Sequence, residues 1–393
     1  MDCVNGTAEL EQRLIERIHR EGPLPFDAFV EEALYGDGGF FSSGHGAGRA
    51  GADFVTSPEV GQLFGALVAQ YLDRVWDDLD RPDPFVVIEA GAGRGRLAAD
   101  VLAASPRCAP ALRYVLVERS EELRAAQRER LTVEPFDEAF GPAAPDPDDP
   151  DGPELVAVTG IGPIVTALDD LPAVHVVGVV LANELLDNLP FRVVERAPGG
   201  WLEVRVAHDG ARFVETVLPA AQHLAAEADL VAAGDVPPGT RLPVPDAATA
   251  WLRNAAALLR QGRVLLVDYA ASGAELATRG QAGWLRTFRA HERGGSPLDA
   301  PGTQDITVDV PVEFLVHAAA RAGLGLLIDC TQADWLRDQG LDDLVAAARE
   351  QWDARAHVAD LEALRHRSRV SEGTALTDPA GLGAHRVLEF GPG

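Results

Sequence analysis

The chain has 393 residues, 47% of them hydrophobic, which suffices for one large domain with additions or for two domains. Its 61 acidic residues outweigh 34 basic ones, every one an arginine, and the formal charge of -27 argues against nucleic acid or an anionic membrane as a partner while suiting a cationic substrate. Cys3, Cys108 and Cys330 stand apart and are odd in number, which speaks against a disulfide framework or a zinc site and fits a reducing, cytoplasmic compartment.

The first 20 residues are charged throughout and show no signal-peptide pattern. Within them, residues 8–20 set Leu10, Leu14, Ile15 and Ile18 on one face, which predicts an amphipathic helix. A second helix is expected over 25–34, closed by the loop signature YGDGG at 35–39 and a Gly- and Ser-rich stretch to 52. In DFVTSPE, residues 53–59, Ser57 is placed to cap a helix that starts at Pro58 and runs to about Trp76.

Residues 85–102 read FVVIEAGAGRGRLAADVL: an apolar strand ending in Glu89, a glycine turn at Gly91, Gly93 and Gly95, then a helical pattern. A dinucleotide fingerprint would need a glycine at 96, where Arg96 stands. The acid-x-G-x-G-x-G spacing resembles instead the first motif of class I S-adenosylmethionine (SAM) methyltransferases, in which an acid near the strand end binds the ligand's ammonium and the helix N-terminus its carboxylate. A second apolar strand, 114–117, ends in Glu118, which follows Gly95 by 23 residues and can accept both ribose hydroxyls.

Residues 134–153 are acidic and Pro-rich and read as a solvated loop. The run 174–181 is nearly all apolar, as in a buried parallel strand, and too short to cross a bilayer. It leads into ANELLDNLP, so Asn183, Glu184 and Asp187 fall at the carboxyl end of a strand, where open α/β sheets bind ligands. FRVVER, WLEVRV and ARFVETVL then alternate apolar and polar residues between Gly-containing turns, predicting a three-stranded antiparallel meander over 191–217. A helix over 246–261 ended by Gly262 and a strand at 264–267 follow; 271–310 shows little regular signal. A helix at 311–322, a strand at 324–329, charged helices over 334–366 and a last strand at 386–390 complete the chain, the last two strands being expected to pair antiparallel at a sheet edge.

Taken in order, these motifs resemble the MidA family of class I SAM-dependent methyltransferases, whose mitochondrial members methylate arginine and serve respiratory complex I assembly. The segments are DFVTSPEVGQLFG at 53–65, EAGAGRGRL at 89–97, NELLDNLP at 183–190, Asp268-Tyr269-Ala270, PGTQDIT at 301–307 and 376–383. The chain departs from the family's pattern at Ala92 (proline there), Leu185 and Leu186 (phenylalanines) and Ala270 (glycine). The resemblance implies an α/β fold: a Rossmann-like class I methyltransferase sheet, mostly parallel with an antiparallel last strand, plus an N-terminal helical region and a β-meander insert. The expected division is 1–57 as an N-terminal cap, 58–190 with 246–393 as the SAM-binding domain, and 191–245 as the insert on the substrate side.

It also implies S-adenosyl-L-methionine as cofactor, with Glu89, Gly91, Gly93 and Gly95 at its methionine end and Glu118 at its ribose. Glu184, Asp187 and Asn183 are the expected catalytic residues. Asp53, Thr56, Ser57, Glu59 and Asp305 are expected on the acceptor side. The implied reaction is methyl transfer to a protein arginine. A small-molecule or non-arginine peptide acceptor, or a non-catalytic SAM-binding assembly factor, are the rival readings, and a homodimer is allowed.

Overall fold

In the computed structural model the segment 85–102 forms the predicted strand, turn and helix, and a sheet is built around it. The structure describes residues 2–43, 56–141, 143–145, 153–155, 159–232, 234, 236–289, 292–355, 357 and 360–393. Two compact units emerge: Met1–Phe54 with Glu184–Arg253 and Asp268–Arg321, and Val55–Asn183 with Asn254–Val267 and Ala322–Gly393.

The second unit holds a seven-stranded sheet. Its strands are β1 (Phe85–Ala90), β2 (Leu112–Val117), β3 (Ile164–Leu168), β4 (Val176–Asn183), β5 (Leu259–Asp268), β6 (Gly325–Thr331) and β7 (Arg386–Gly391). The spatial order is β3-β2-β1-β4-β5-β7-β6. Strands β1 to β5 pair parallel, and β6 runs antiparallel to β7, as expected. The order reverses between β1 and β4, the switch point at which such sheets bind ligands. All six residues of β1 and of β2 are buried, because helices cover both faces of a parallel sheet. Phe64, Leu67, Leu72, Val101, Tyr114 and Trp335 belong to its core.

The first unit has its own core, with Leu10, Leu14, Phe26, Phe29, Phe191, Val204 and Trp284 among its members. The meander is present as Arg192–Ala197, Gly200–His208 and Phe213–Pro219. Two further strands extend it: Arg241–Val244 pairs with the first and Leu24–Pro25 with the second. The helices Asp2–Glu21 and Phe26–Tyr35 precede it, the former longer than the predicted 8–20.

Several expectations are corrected. The helix expected from 58 to 76 is two, Ser57–Val60 and Gln62–Asp78. The buried Glu372 carboxylate enters the break and accepts the Leu63 N–H at 3.0 Å; a Cβ on Gly61 would lie 2.1 Å from it. Gly262 does not end a helix. The helix stops at Ala257 and Gly262 stands inside β5 at φ +148°, where a Cβ would lie 1.9 Å from the Gly178 carbonyl oxygen. Gly178, at φ +154°, abuts the Val86 carbonyl just as closely, so a row of strands meets backbone to backbone.

The expected loop 134–153 contains the helix Phe136–Phe140, whose last ring is fully buried, and the strand Ala143–Pro145, which pairs antiparallel with Pro153–Leu155. Residues 271–310 contain the helices Gly273–Arg279 and Gln281–Trp284 and a three-stranded sheet of Leu285–Arg289, Glu292–Arg293 and Asp305–Val308. Fully buried Trp284 shows why: a side chain of that size anchors the segment in a core. This segment groups with the N-terminal helices and the meander, not with the sheet as the division at 246–393 had it.

Candidate functional site

Two clusters of polar residues stand out, one in each unit. In the second unit the chain leaves β1 and turns at Gly91, Gly93 and Gly95, with φ of 70°, 50° and 71°. All three are left-handed, a conformation that side chains resist and glycine does not. A Cβ on Gly93 would meet nothing within 4 Å, so the turn presents open backbone. The Gly93 N–H donates to Glu118 Oε2 at 3.0 Å, and the Ser120 N–H donates to Glu118 Oε1 at 2.9 Å. Burial raises the Glu118 carboxyl above its ordinary range, and these two bonds oppose the rise.

Glu89 closes the same cluster from below the turn. It is only 5% exposed, and the Tyr114 hydroxyl donates to its Oε2 at 2.7 Å. Burial pushes its pKa up to about 8, against the Tyr114 bond and a bond from the Ala98 backbone, while the nearby Glu118 charge adds to the rise. The motif residues Glu89, Gly91, Gly93, Gly95 and Glu118 thus lie together around the turn. Gln127, which the sequence did not single out, joins them: it is fully buried and donates from Nε2 to the Gly93 carbonyl at 2.8 Å.

These residues fit S-adenosyl-L-methionine. Each Glu118 oxygen accepts one N–H and keeps acceptor capacity for ribose hydroxyls. Glu89 is a buried carboxyl without a cation beside it among the described residues, and an ammonium is what would let it ionise.

The cluster in the first unit is built from 184–188, 268–269, 286 and 305–309. Glu184 follows β4 directly and is held at φ +51°, an uncommon position for a non-glycine residue. The Asp268 carboxylate shapes the turn: its Oδ2 accepts the N–H groups of Leu185 at 3.0 Å and Leu186 at 2.7 Å, and its Oδ1 accepts that of Tyr269 at 2.8 Å. Asn188 Nδ2 donates to Asp305 Oδ1 at 2.8 Å and to the Ile306 carbonyl at 3.2 Å, and Thr307 donates to Asp305 Oδ2 at 3.1 Å.

Asp187 sits within this network, 3% exposed, with Oδ1 buried and without a hydrogen bond among the described residues. Burial, then the charges of Asp268, Asp305 and Glu184, raise its pKa well above the carboxylate range, and Arg286 opposes them. Asp268 is raised to about 6 by burial, against bonds from the Leu186, Tyr269 and Leu185 amides and from the Asp187 side chain. Arg286 lies over the Tyr269 ring at 4.8 Å and ion-pairs with Asp309.

The structure brings Glu184, Asp187 and Asp305 together and adds Asp268 and Arg286. Asn183 is the last residue of β4, in the second unit. Thr56, Ser57 and Glu59 also lie there and use their polar groups on helix ends. Thr56 and Glu59 form a capping box, and Ser57 Oγ donates to Gln332 Oε1 at 2.9 Å. Asp53 lies outside the described residues.

Comparison with known proteins agrees with this geometry. Residues 67–328 match the model of a family described as "Putative S-adenosyl-L-methionine-dependent methyltransferase". A relative from Drosophila melanogaster, the protein arginine methyltransferase NDUFAF7 homolog, mitochondrial, is 28% identical over 99% of this chain and 86% of that protein. The human mitochondrial protein arginine methyltransferase NDUFAF7 is 29% identical over 86% of this chain and 75% of that protein. A crystal structure from Burkholderia thailandensis bound to S-adenosyl-homocysteine superposes with a TM-score of 0.80 at 30% identity, covering 99% of this chain and 93% of that one. The chain belongs to this family and is a MidA-type, class I S-adenosyl-L-methionine-dependent methyltransferase.

Proposed function

We propose that the enzyme methylates the guanidinium of a protein arginine. The observation that carries this reading is the acid cluster of Glu184, Asp187, Asp268 and Asp305, in which Asp187 is buried with one oxygen lacking a hydrogen bond among the described residues. A guanidinium offers the positive charge and the planar fork of N–H donors that such a group needs. The relatives named protein arginine methyltransferases support the same acceptor.

S-adenosyl-L-methionine supplies a methyl group on a positively charged sulfur, open to displacement by a nitrogen lone pair. Glu118 and Glu89 would hold its ribose and its ammonium, and the glycine turn would leave room for it. On the acceptor side, Glu184 and Asp187 bind the guanidinium through charge-assisted hydrogen bonds. Asp187 keeps its proton until a cation arrives, and the arriving guanidinium displaces that proton to solvent. The proton lost when the nitrogen is methylated passes to Glu184. Asn183 positions the turn, and Asp305 fixes Asn188 within it. Cys108 and Cys330 are free thiols, which suits a reducing compartment such as the cytoplasm.

The test is incubation with methyl-labelled S-adenosyl-L-methionine and cell extract, followed by mass spectrometry of the labelled products. Label on arginine is expected, lost by about 100-fold in Glu184→Gln and Asp187→Asn while calorimetric SAM binding persists. Label confined to another residue type or to small molecules would sink the reading.

A further inference from the structure

The cofactor cluster contains a closed ring that passes through a helix. Glu118 stands just after β2, and the helix Glu121–Gln127 begins three residues later, capped by Ser120. At the near end of this helix the Ser120 N–H holds Glu118 Oε1 at 2.9 Å. At the far end Gln127 Nε2 holds the Gly93 carbonyl at 2.8 Å. The ring closes across the turn, where the Gly93 N–H holds Glu118 Oε2 at 3.0 Å. Both polar faces of the Gly93 residue are therefore gripped, one by the ribose acid and one by Gln127.

Gln127 is fully buried, and its Oε1 has no hydrogen bond among the described residues. A buried amide with an unmet acceptor costs stability, and a hydrophobic residue of the same length would fill the place without that cost. Its Cβ and Cγ also lie against Gly95, where an added methyl would come within 3.7 and 3.4 Å of them. The one hydrogen bond it makes goes to the residue whose N–H orients Glu118.

The structure assigns Gln127 as a positioning residue for S-adenosyl-L-methionine: by holding the Gly93 carbonyl it fixes the backbone at Gly93, and with it the adjoining N–H, so that Glu118 is aimed before the cofactor arrives. It acts on affinity through Glu118, which is held by the peptide on the other side of the Gly93 Cα from its own contact. Orienting a buried acceptor in advance removes an ordering cost from binding.

The test is a double-mutant cycle read by calorimetry with S-adenosyl-L-methionine and, separately, S-adenosyl-homocysteine. Gln127→Met keeps the chain length and removes the donor. It should weaken both ligands by roughly three- to tenfold, the range of one lost hydrogen bond, and should not lower the ligand-free melting temperature. In the Glu118→Gln background the same substitution should add less than a twofold loss, because the group it aims has already been altered. Gln127→Asn, which keeps the amide but falls one methylene short of Gly93, should behave like Gln127→Met and serves if that variant does not fold. Unchanged affinity in these variants, or losses that multiply in full with Glu118→Gln, would overturn the assignment.

Discussion

Glu118 and Asp187 are both carboxyl groups drawn out of water, and the chain treats them in opposite ways. Glu118 has an N–H on each oxygen, from Gly93 and Ser120. Asp187 has a buried oxygen with no hydrogen bond among the described residues and three acids around it. Backbone N–H groups stabilise the ionised form without adding a countercharge, so the first site suits a neutral partner. The second is held protonated by burial and by its neighbours' charge. It is set for something that brings its own positive charge.

The largest effect that would sharpen this contrast comes from the turn. Gly93→Val forces a β-branched side chain to φ +50° and places its Cβ where nothing now lies within 4 Å. We expect SAM affinity to fall by at least about 100-fold, since strain and occupied space act together. Isothermal calorimetry would show it. Affinity within about threefold of the parent's would mean that the ligand does not pass over Gly93.

A second, smaller effect tests whether Glu89 belongs with Glu118 or with Asp187. Its folded pKa is raised to about 8, so near pH 6.5 it is protonated in the ligand-free enzyme. Because the folded value is the higher one, Glu89 adds stability that is complete below the unfolded carboxyl range and fades as pH climbs toward 8. Binding an ammonium reverses this preference. Calorimetry at pH 6.5 in buffers of different ionisation enthalpy should therefore detect close to one proton released per SAM bound. Affinity should rise with pH and level off near 8, and Glu89→Gln should abolish the release. A proton count near zero for the parent enzyme would place Glu89 with the acids that stay neutral.

The two sites also differ in how far the sequence reveals them. The cofactor side is mostly one βα unit and the strand beside it, so the spacing of Glu89, Gly91, Gly93, Gly95 and Glu118 already places them together. Gln127 escapes that reading because a glutamine at a helix end has no signature until the helix is seen to fold back on Gly93. The acid cluster joins segments far apart in the chain: Leu186 bonds Asp268 across 82 residues and Asn188 bonds Asp305 across 117. Asp268 looks like an ordinary strand-end residue until its carboxylate is found under two amides. Periodicity shows the meander, since alternation is local, but gives no hint that Arg241–Val244 and Leu24–Pro25 extend it. Gly262 misleads for the same reason. A glycine after a helical pattern reads as a stop, and only the Gly178 carbonyl across the sheet explains it.

The smallest expected effect separates the two carboxylates by stability alone. Asp187 faces Asp268, Asp305 and Glu184, with Arg286 the opposing cation. Its folded pKa lies well above the unfolded one, so its contribution is full in acid and is lost as pH rises. Asp187→Asn carries no charge at any pH and makes none of that loss. The variant should match the parent enzyme near pH 4 and exceed it at pH 8, by roughly 1 to 3 kcal/mol in urea unfolding without acceptor. Asp268, raised to about 6 by burial, accepts a hydrogen bond from the Asp187 side chain, and asparagine can donate there too, so its contribution is shared by the two proteins. Glu118→Gln offers the reverse control: two N–H donors lose their charged partner, so that variant should gain less with pH than Asp187→Asn does. If the two variants followed the same pH course, the acids would not differ as their surroundings indicate, and Asp187 would need no cation to complete it.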